Sequence, residues 1–178
     1  MATRRKPESD DAPTSLQAMR DPIEATQRMP EDWLKLIQSH HALIEAAFDA
    51  VLTSGDSPVD IRQQRFRRLA LLLTAHCVAE ENVVYPALAM YGLQTESDKL
   101  YLDQAHAKVM NAVLDMADDK GSAGWLEKAQ QLKEVVLQHA KHDEEADLYP
   151  RLQAALDATT AMKLGAAYRR EFLSVKPG

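Results

Sequence analysis

The chain has 178 residues and a formal net charge of −6, from 21 basic and 27 acidic side chains. Ala and Leu supply 27 and 22 residues against 10 Val, 4 Ile, 8 Thr and 6 Gly. That mixture favours helices and excludes an all-β sandwich or barrel, which needs β-branched residues and turn glycines. The acidic balance without a basic stripe excludes a nucleic-acid grip, and no apolar run approaches the ~20 residues of a membrane span.

Residues 1–29 read as a polar extension, in which Asp21-Pro22 forms a helix-start signal. Arg4, Arg5 and Lys6 are followed by no apolar leader segment, and the single Cys77 excludes an intramolecular disulfide. Both features point to the cytoplasm. From Pro30, the residues Trp33, Leu34, Ile37, His41, Ile44, Phe48 and Leu52 repeat at helical spacing, and Ser54-Gly55 ends that helix. Ser57-Pro58 opens a second helix through Ile61, Leu69, Leu72, Leu73, His76, Glu80, Val83 and Val84. Pro86 should end or kink it, and Gly92 stops it. Thr95 to Asp98 resembles a capping box for a third helix with an inward face of Leu102, His106, Val109, Met110 and Val113. After a loop at 118–124, Leu126, Leu132, Val135, Val136, His139 and Leu148 describe a fourth, which Pro150 closes; a weaker helix follows to Leu173. The expectation is an all-α, up-down-up-down four-helix bundle over 30–152, with a helical extension at 153–178 that docks on its side or serves as an interface.

The chain also repeats itself. Glu80-Glu81-Asn82-Val83-Val84-Tyr85-Pro86-Ala87-Leu88 matches Glu144-Glu145-Ala146-Asp147-Leu148-Tyr149-Pro150-Arg151-Leu152, and His41-Ala42 matches His106-Ala107. Two equivalent hairpins facing each other bring equivalent side chains together at the bundle centre. Each of the four helices places a histidine among apolar neighbours: His41, His76, His106 and His139. Glu80 stands four residues after His76, on the same helix face; near His139 the candidates are Asp143 at +4 and Glu144 at +5. One such histidine is ordinarily a hydrogen-bonded core residue. Four of them, with carboxylates that are costly to bury uncompensated, point to metal, and imidazole with carboxylate suits iron, manganese or zinc. No Glu stands three residues before any histidine, so the Glu-x-x-His pattern of ferritin-like bundles is absent.

Over residues 31–152 these motifs resemble the hemerythrin-like (HHE cation-binding) domains. The matching pieces are the His41 segment, His76-x3-Glu80 with Glu81 and Tyr85-Pro86, His106, and His139-x4-Glu144 with Tyr149-Pro150. The resemblance implies two oxo- or hydroxo-bridged iron ions inside the bundle, with Glu80 and Glu144 bridging and His41, His76, His106 and His139 as terminal ligands. For the fourth helix it favours Glu144, whereas ideal helix geometry favours Asp143. The chain departs from the oxygen carriers at the third helix, where the position four after His106 is Met110, one imidazole short. Glu45, Glu81, His40, His142, Tyr85 or Tyr149 are the side chains in reach of such a gap. The implied function is binding, sensing or reacting with oxygen or a related small oxidant such as peroxide or nitric oxide. The alternatives are a peroxidase- or catalase-like or iron-donating repair enzyme, and a metal-dependent interaction module. Among the remaining residues, Cys77 reads as a packed inert thiol, Met90, Met110 and Met116 as core, and the Arg62–Arg68 cluster as a solvated face. Trp33 and Trp125 read as end-packing residues.

Overall fold

The computed structural model describes residues 26–175, and among them there are helices and no strands. After a 3-10 turn at Thr26–Arg28 come α1 (Trp33–Leu52) and α2 (Val59–Ala79). A π turn (Glu80–Val84) carries α2 into α3 (Tyr85–Met90), and α4 (Gln94–Met116) follows. Next, α5 (Ala123–Gln138) runs through a π segment (His139–Leu148) into α6 (Tyr149–Ala155), and α7 (Ala158–Ser174) closes the fold. In the bundle, α1 packs on α2 and α5, and α4 packs on α3 and α5; α7 lies across α1, α2 and the first π turn. No described helix is long and apolar enough to cross a membrane. The Asp21-Pro22 signal lies outside the described residues.

Side-chain caps start three of the helices. Asp32 accepts from the Lys35 amide, Ser122 from Trp125, and Asp157 from Thr159 and Thr160, each satisfying backbone donors that a first turn leaves free. The expected capping box at Thr95 is not used: α4 starts at Gln94, and Leu93 at its N-cap offers no side-chain bond. Gly92, at φ 86°, ends α3 as expected, and the Leu93 amide reaches back to the Leu88 carbonyl across it. The core joins Trp33, Leu36, Ile37, Ile44 and Phe48 of α1 to Phe66, Leu69 and Leu72 of α2, Leu100 and Leu114 of α4, and Leu132 of α5. Trp33 and Trp125 are buried.

Two expectations are corrected here. Arg62 does not belong to a solvated face. It is buried, and its guanidinium donates to the carbonyls of Ser54, Gly55 and Lys120, clamping the loop after α1 to the loop before α5. The second correction concerns α4, whose expected inward stripe points mostly outward, with only Met110 of it packed half-buried against the core. Leu102, Val109 and Val113 are 72%, 62% and 53% exposed, Met116 and Met90 are 83% exposed, and His106 is exposed with them. The buried face of α4 is instead Ser97, Leu100, Gln104 and Leu114. Both faces carry helical periodicity, and the one that is buried carries Gln104 to a buried carboxylate. Replacing Val109 by Lys should therefore change stability by no more than about 0.5 kcal/mol. Leu100→Ala should cost about 2–5 kcal/mol. Thermal or urea unfolding of the two variants checks the helix orientation, and a large loss in Val109→Lys alone would reverse it.

Candidate metal centre

Two carboxylates lie at the bottom of the bundle core. Glu80 and Glu144 are both 0% exposed, a costly placement for charge unless a cation or several donors face it. Glu80 comes from the C-terminal end of α2, where His76-x3-Glu80 keeps ordinary helical spacing: His76 Nε2 lies 3.1 Å from Glu80 Oε2. The second motif has one residue more, and the π segment absorbs it. Between His139 and Leu148 the backbone hydrogen bonds run to the fifth residue, so residue i+5 stacks over residue i. Glu144 therefore lies beside His139, with Oε1 3.1 Å from Nε2, while Asp143 turns half-outward to Lys99, 2.9 Å away.

The same turn explains the repeated Tyr-Pro. Tyr85 and Tyr149 each follow a glutamate by five residues, and each donates its amide to that glutamate's carbonyl. Both phenols thus point inward with the carboxylates. Pro86 does not end the helix, which runs on to Met90 from the π turn before it. Lacking an N–H, it leaves the Glu81 carbonyl without its π partner, and the Tyr101 hydroxyl donates to that carbonyl at 2.6 Å.

The donors converge closely. Tyr149 Oη donates to Glu80 Oε1 at 2.5 Å and lies 2.8 Å from Glu144 Oε1. Tyr85 Oη lies 2.8 Å from Glu144 Oε1 and 3.0 Å from His139 Nε2. Gln104 Nε2 donates to Glu80 Oε2 at 2.6 Å. His41 Nε2, from α1, stands 3.3 Å from Glu144 Oε2 and 3.8 Å from Glu80 Oε1. Neither His41 Nε2 nor Glu144 Oε2 has a hydrogen-bond partner although both are buried. His41, His76, Glu80 and Glu144 offer ligand atoms that all lie within 4.8 Å of one another. Two buried ligand atoms that meet as an ion pair without a hydrogen bond, in a set of imidazoles and carboxylates without thiolate, fit a divalent first-row cation.

Two of the imidazoles are hydrogen-bonded from behind, and the third faces a carboxylate beyond hydrogen-bond reach. His41 Nδ1 lies 2.6 Å from Glu145 Oε1, which Lys141 also holds at 2.8 Å. His76 Nδ1 lies 2.9 Å from the Tyr168 hydroxyl of α7. His139 Nδ1 looks toward Asp103 Oδ2 at 3.7 Å. Such outer hydrogen bonds fix ring orientation and tautomer. Tyr168 Oη also contacts His40 Nδ1 at 2.9 Å, and His40 Nε2 meets Thr26 Oγ1 at 3.0 Å. Burial, with the His76 and His41 rings beside it, pushes His40 down to about 2, so this ring is neutral. It stacks on Phe172 and serves as support.

Electrostatics follow from the geometry. Burial pulls His41 down, but Glu144, Glu145 and Glu80 outweigh it and hold the ring well above the usual imidazole range. The same contest, decided by Glu144 and Glu80, lifts His139 to about 9. Burial raises Glu80 and Glu144, yet the facing histidines hold both carboxyls below their ordinary range. Burial keeps the phenols of Tyr85, Tyr149 and Tyr168 protonated, and it likewise raises the Cys77 thiol.

A family model, the hemerythrin HHE cation-binding domain, matches residues 34–152. The chain belongs to that family. Comparison with curated proteins and with solved structures gives no match. Against the hemerythrin HHE domain expected from the sequence, the structure brings His41, His76, Glu80, His139 and Glu144 to one centre. It does not bring His106, which is exposed on the outer face of α4, two residues beyond Gln104. The side chain α4 sends inward is an amide, not an imidazole. Glu45 and Glu81 are half-buried and His142 is exposed, all outside the cluster. Gln104, Asp103 and Tyr168 went unread in the sequence. Gln104 carries no motif, and Tyr168 lies beyond the matched domain. The boundary expected at residue 152 falls inside α6.

Proposed function

We propose that this HHE domain holds a pair of iron ions bridged by Glu80 and Glu144, and that its function is to bind or react with a small oxidant. The observation that carries the reading is the fully buried carboxylate cluster in which His41 Nε2 and Glu144 Oε2 face each other as an ion pair, 3.3 Å apart and without a hydrogen bond. His41 and His76 would serve one ion and His139 the other, with the phenols of Tyr85 and Tyr149 beside both bridges. Bound iron supplies the electrons and the open coordination positions at which an oxidant is held. The protein's part is to orient His41 and His76 through Glu145 and Tyr168, and to wall the site with apolar helix faces that limit water. Metal analysis with an optical spectrum tests the proposal: about two irons per chain and an oxo-bridge band near the ultraviolet edge are expected. A chain purified without iron that takes up no ferrous ion under anaerobic conditions sinks it.

The metal-free chain should carry a distinctive pH dependence. His139 titrates near 9 when folded against an ordinary 6.5. Between those values the folded state binds more protons than the unfolded one, so this contribution is complete below pH 6.5 and is lost as pH rises through about 9. Its size is on the order of 3 kcal/mol. Glu80 and Glu144 act in the opposite sense, contributing above the ordinary carboxylate range and losing it as pH falls. The thermal midpoint of metal-free protein should thus peak in the mildly acidic range and decline toward pH 9. Because a cation at Nε2 displaces that proton, iron affinity should rise with pH over the same window. A metal-free midpoint that climbs from pH 6.5 to 9 would contradict this.

A further inference from the structure

Four side chains of α4 reach the π turn that carries Glu80. Ser97 Oγ donates to the Tyr85 carbonyl at 2.8 Å, and Tyr101 Oη donates to the Glu81 carbonyl at 2.6 Å. Gln104 Nε2 donates to Glu80 Oε2 at 2.6 Å, and Lys108 Nζ donates to Glu81 Oε1. Residues 97, 101, 104 and 108 follow one another at alternating steps of four and three, so they form one row along the helix. Ser97 and Tyr101 hold backbone carbonyls of the turn, and the exposed Lys108 holds the half-buried Glu81 at its rim. Of this row Gln104 alone meets a carboxylate of the metal cluster, and it is 3% exposed.

The row makes the two clustered carboxylates unequal in spite of the internal repeat. Glu80 is held at both oxygens: Oε1 accepts from Tyr149, and Oε2 accepts from Gln104 while facing His76 Nε2 at 3.1 Å. Glu144 accepts from Tyr85 and Tyr149 at Oε1, and its Oε2 has no hydrogen bond. An amide N–H on a carboxylate oxygen has two effects. It occupies one lone-pair direction, which fixes the plane of the group and leaves the other direction for a cation. It also draws charge from the oxygen, so the carboxylate donates less to a bound ion, which favours the lower oxidation state.

We propose that Gln104 is a positioning residue of the centre, acting through Glu80: its amide sets the direction in which Glu80 Oε2 faces a bound cation and how strongly that oxygen donates. The inference rests on the reading of the cluster as an iron site. It gives α4 a part in that site without a ligand of its own.

Two substitutions separate the hydrogen bond from packing. Gln104→Met keeps the length and volume of the side chain and removes the N–H; Gln104→Ala removes both. As the donor, Gln104 should lose its effect in either variant, and ferrous iron should bind about 10–100-fold more weakly in each, measured in competition with a chelator. Met restoring what Ala loses overturns the proposal. The reduction potential of the bound iron gives a second readout. It should move downward in Gln104→Met protein, because Glu80 relieved of its hydrogen bond donates more; an unmoved potential leaves Gln104 as filling and overturns the proposal.

Metal-free protein tests the contact independently of iron. In a double-mutant cycle of Gln104→Met with Glu80→Met, read by urea unfolding, the equilibrium constant of the pair should depart from the product of the single effects by about tenfold, as for a hydrogen bond to a charged group. A cycle without coupling removes the contact, and the proposal with it. A chain that keeps the coupling but takes up no iron defeats the metal reading instead, and reduces Gln104 to a structural donor.

Discussion

Purified Glu80→Ala protein, offered ferrous iron anaerobically, is expected to lose at least one of the roughly two ions that the unaltered chain binds. Glu80 meets five partners in the core: His76 Nε2, Gln104 Nε2, Tyr149 Oη and, more distantly, Tyr85 Oη and His41 Nε2. No neighbouring carboxylate replaces it. Glu81 turns outward to Lys108, and Asp103 lies behind His139 on the far side of the ring from Glu144. Loss of a carboxylate that joins two ions therefore weakens both positions, and Glu80→Gln, which keeps shape and hydrogen bonding but not charge, separates charge from packing. Iron content by elemental analysis, beside a circular-dichroism melt that confirms folding, reads the result. Unchanged iron in folded Glu80→Ala protein would remove Glu80 from the ligand set.

Tyr168→Phe should weaken iron binding by about 10–100-fold, the usual effect of losing an outer hydrogen bond to a ligating imidazole. The phenol lies in α7, outside residues 34–152 of the family match. It is nevertheless fully buried, with its hydroxyl between His76 Nδ1 and His40 Nδ1. With a cation on His76 Nε2, Nδ1–H donates to the phenol oxygen, the phenol donates to His40 Nδ1, and His40 Nε2–H donates to Thr26 Oγ1. This chain of bonds runs one way from the metal centre to the first described turn. α7 is held to α1 tightly enough to position it: a Cβ at Gly165 would meet the Glu31 carbonyl oxygen at 2.9 Å. Phe retains the ring packing, so the fold should survive with a loss of about 2 kcal/mol from unpaired imidazole nitrogens. Competition with a chelator measures affinity. If stability falls and affinity does not, Tyr168 is only packing; if both hold, the hydrogen bond has no role.

Much of the site follows from local rules. Burial of a histidine and a carboxylate one turn apart at the end of α2 follows from the apolar residues around them, and the internal repeat pairs that motif with its partner in the π segment after α5. His139 with Glu144 was harder to read. Ideal helical spacing favours Asp143, and a π segment reverses that preference through hydrogen bonds that no single residue announces. Pro86 was misread for the same reason: its missing donor is accommodated by the π turn and by Tyr101, 15 residues farther along the chain.

The face of α4 shows where local reading stops. Leu102, His106, Val109 and Val113 form a regular apolar stripe, yet Ser97, Leu100, Gln104 and Leu114 are the residues buried. Periodicity establishes that a helix has two distinguishable faces, and composition ordinarily indicates which one is inside. Here the buried face is the one that meets a partner on another helix: Glu80 needs donors, and Gln104 supplies one while the aliphatic stripe supplies none. By itself the sequence determined an acidic, all-helical chain with paired His and Glu motifs of the HHE family, since those depend on neighbours within a turn or two. Tertiary structure alone decided that α4 contributes an amide in place of an imidazole and that α7 reaches back to His76, because each of these depends on side chains that meet only when distant helices pack.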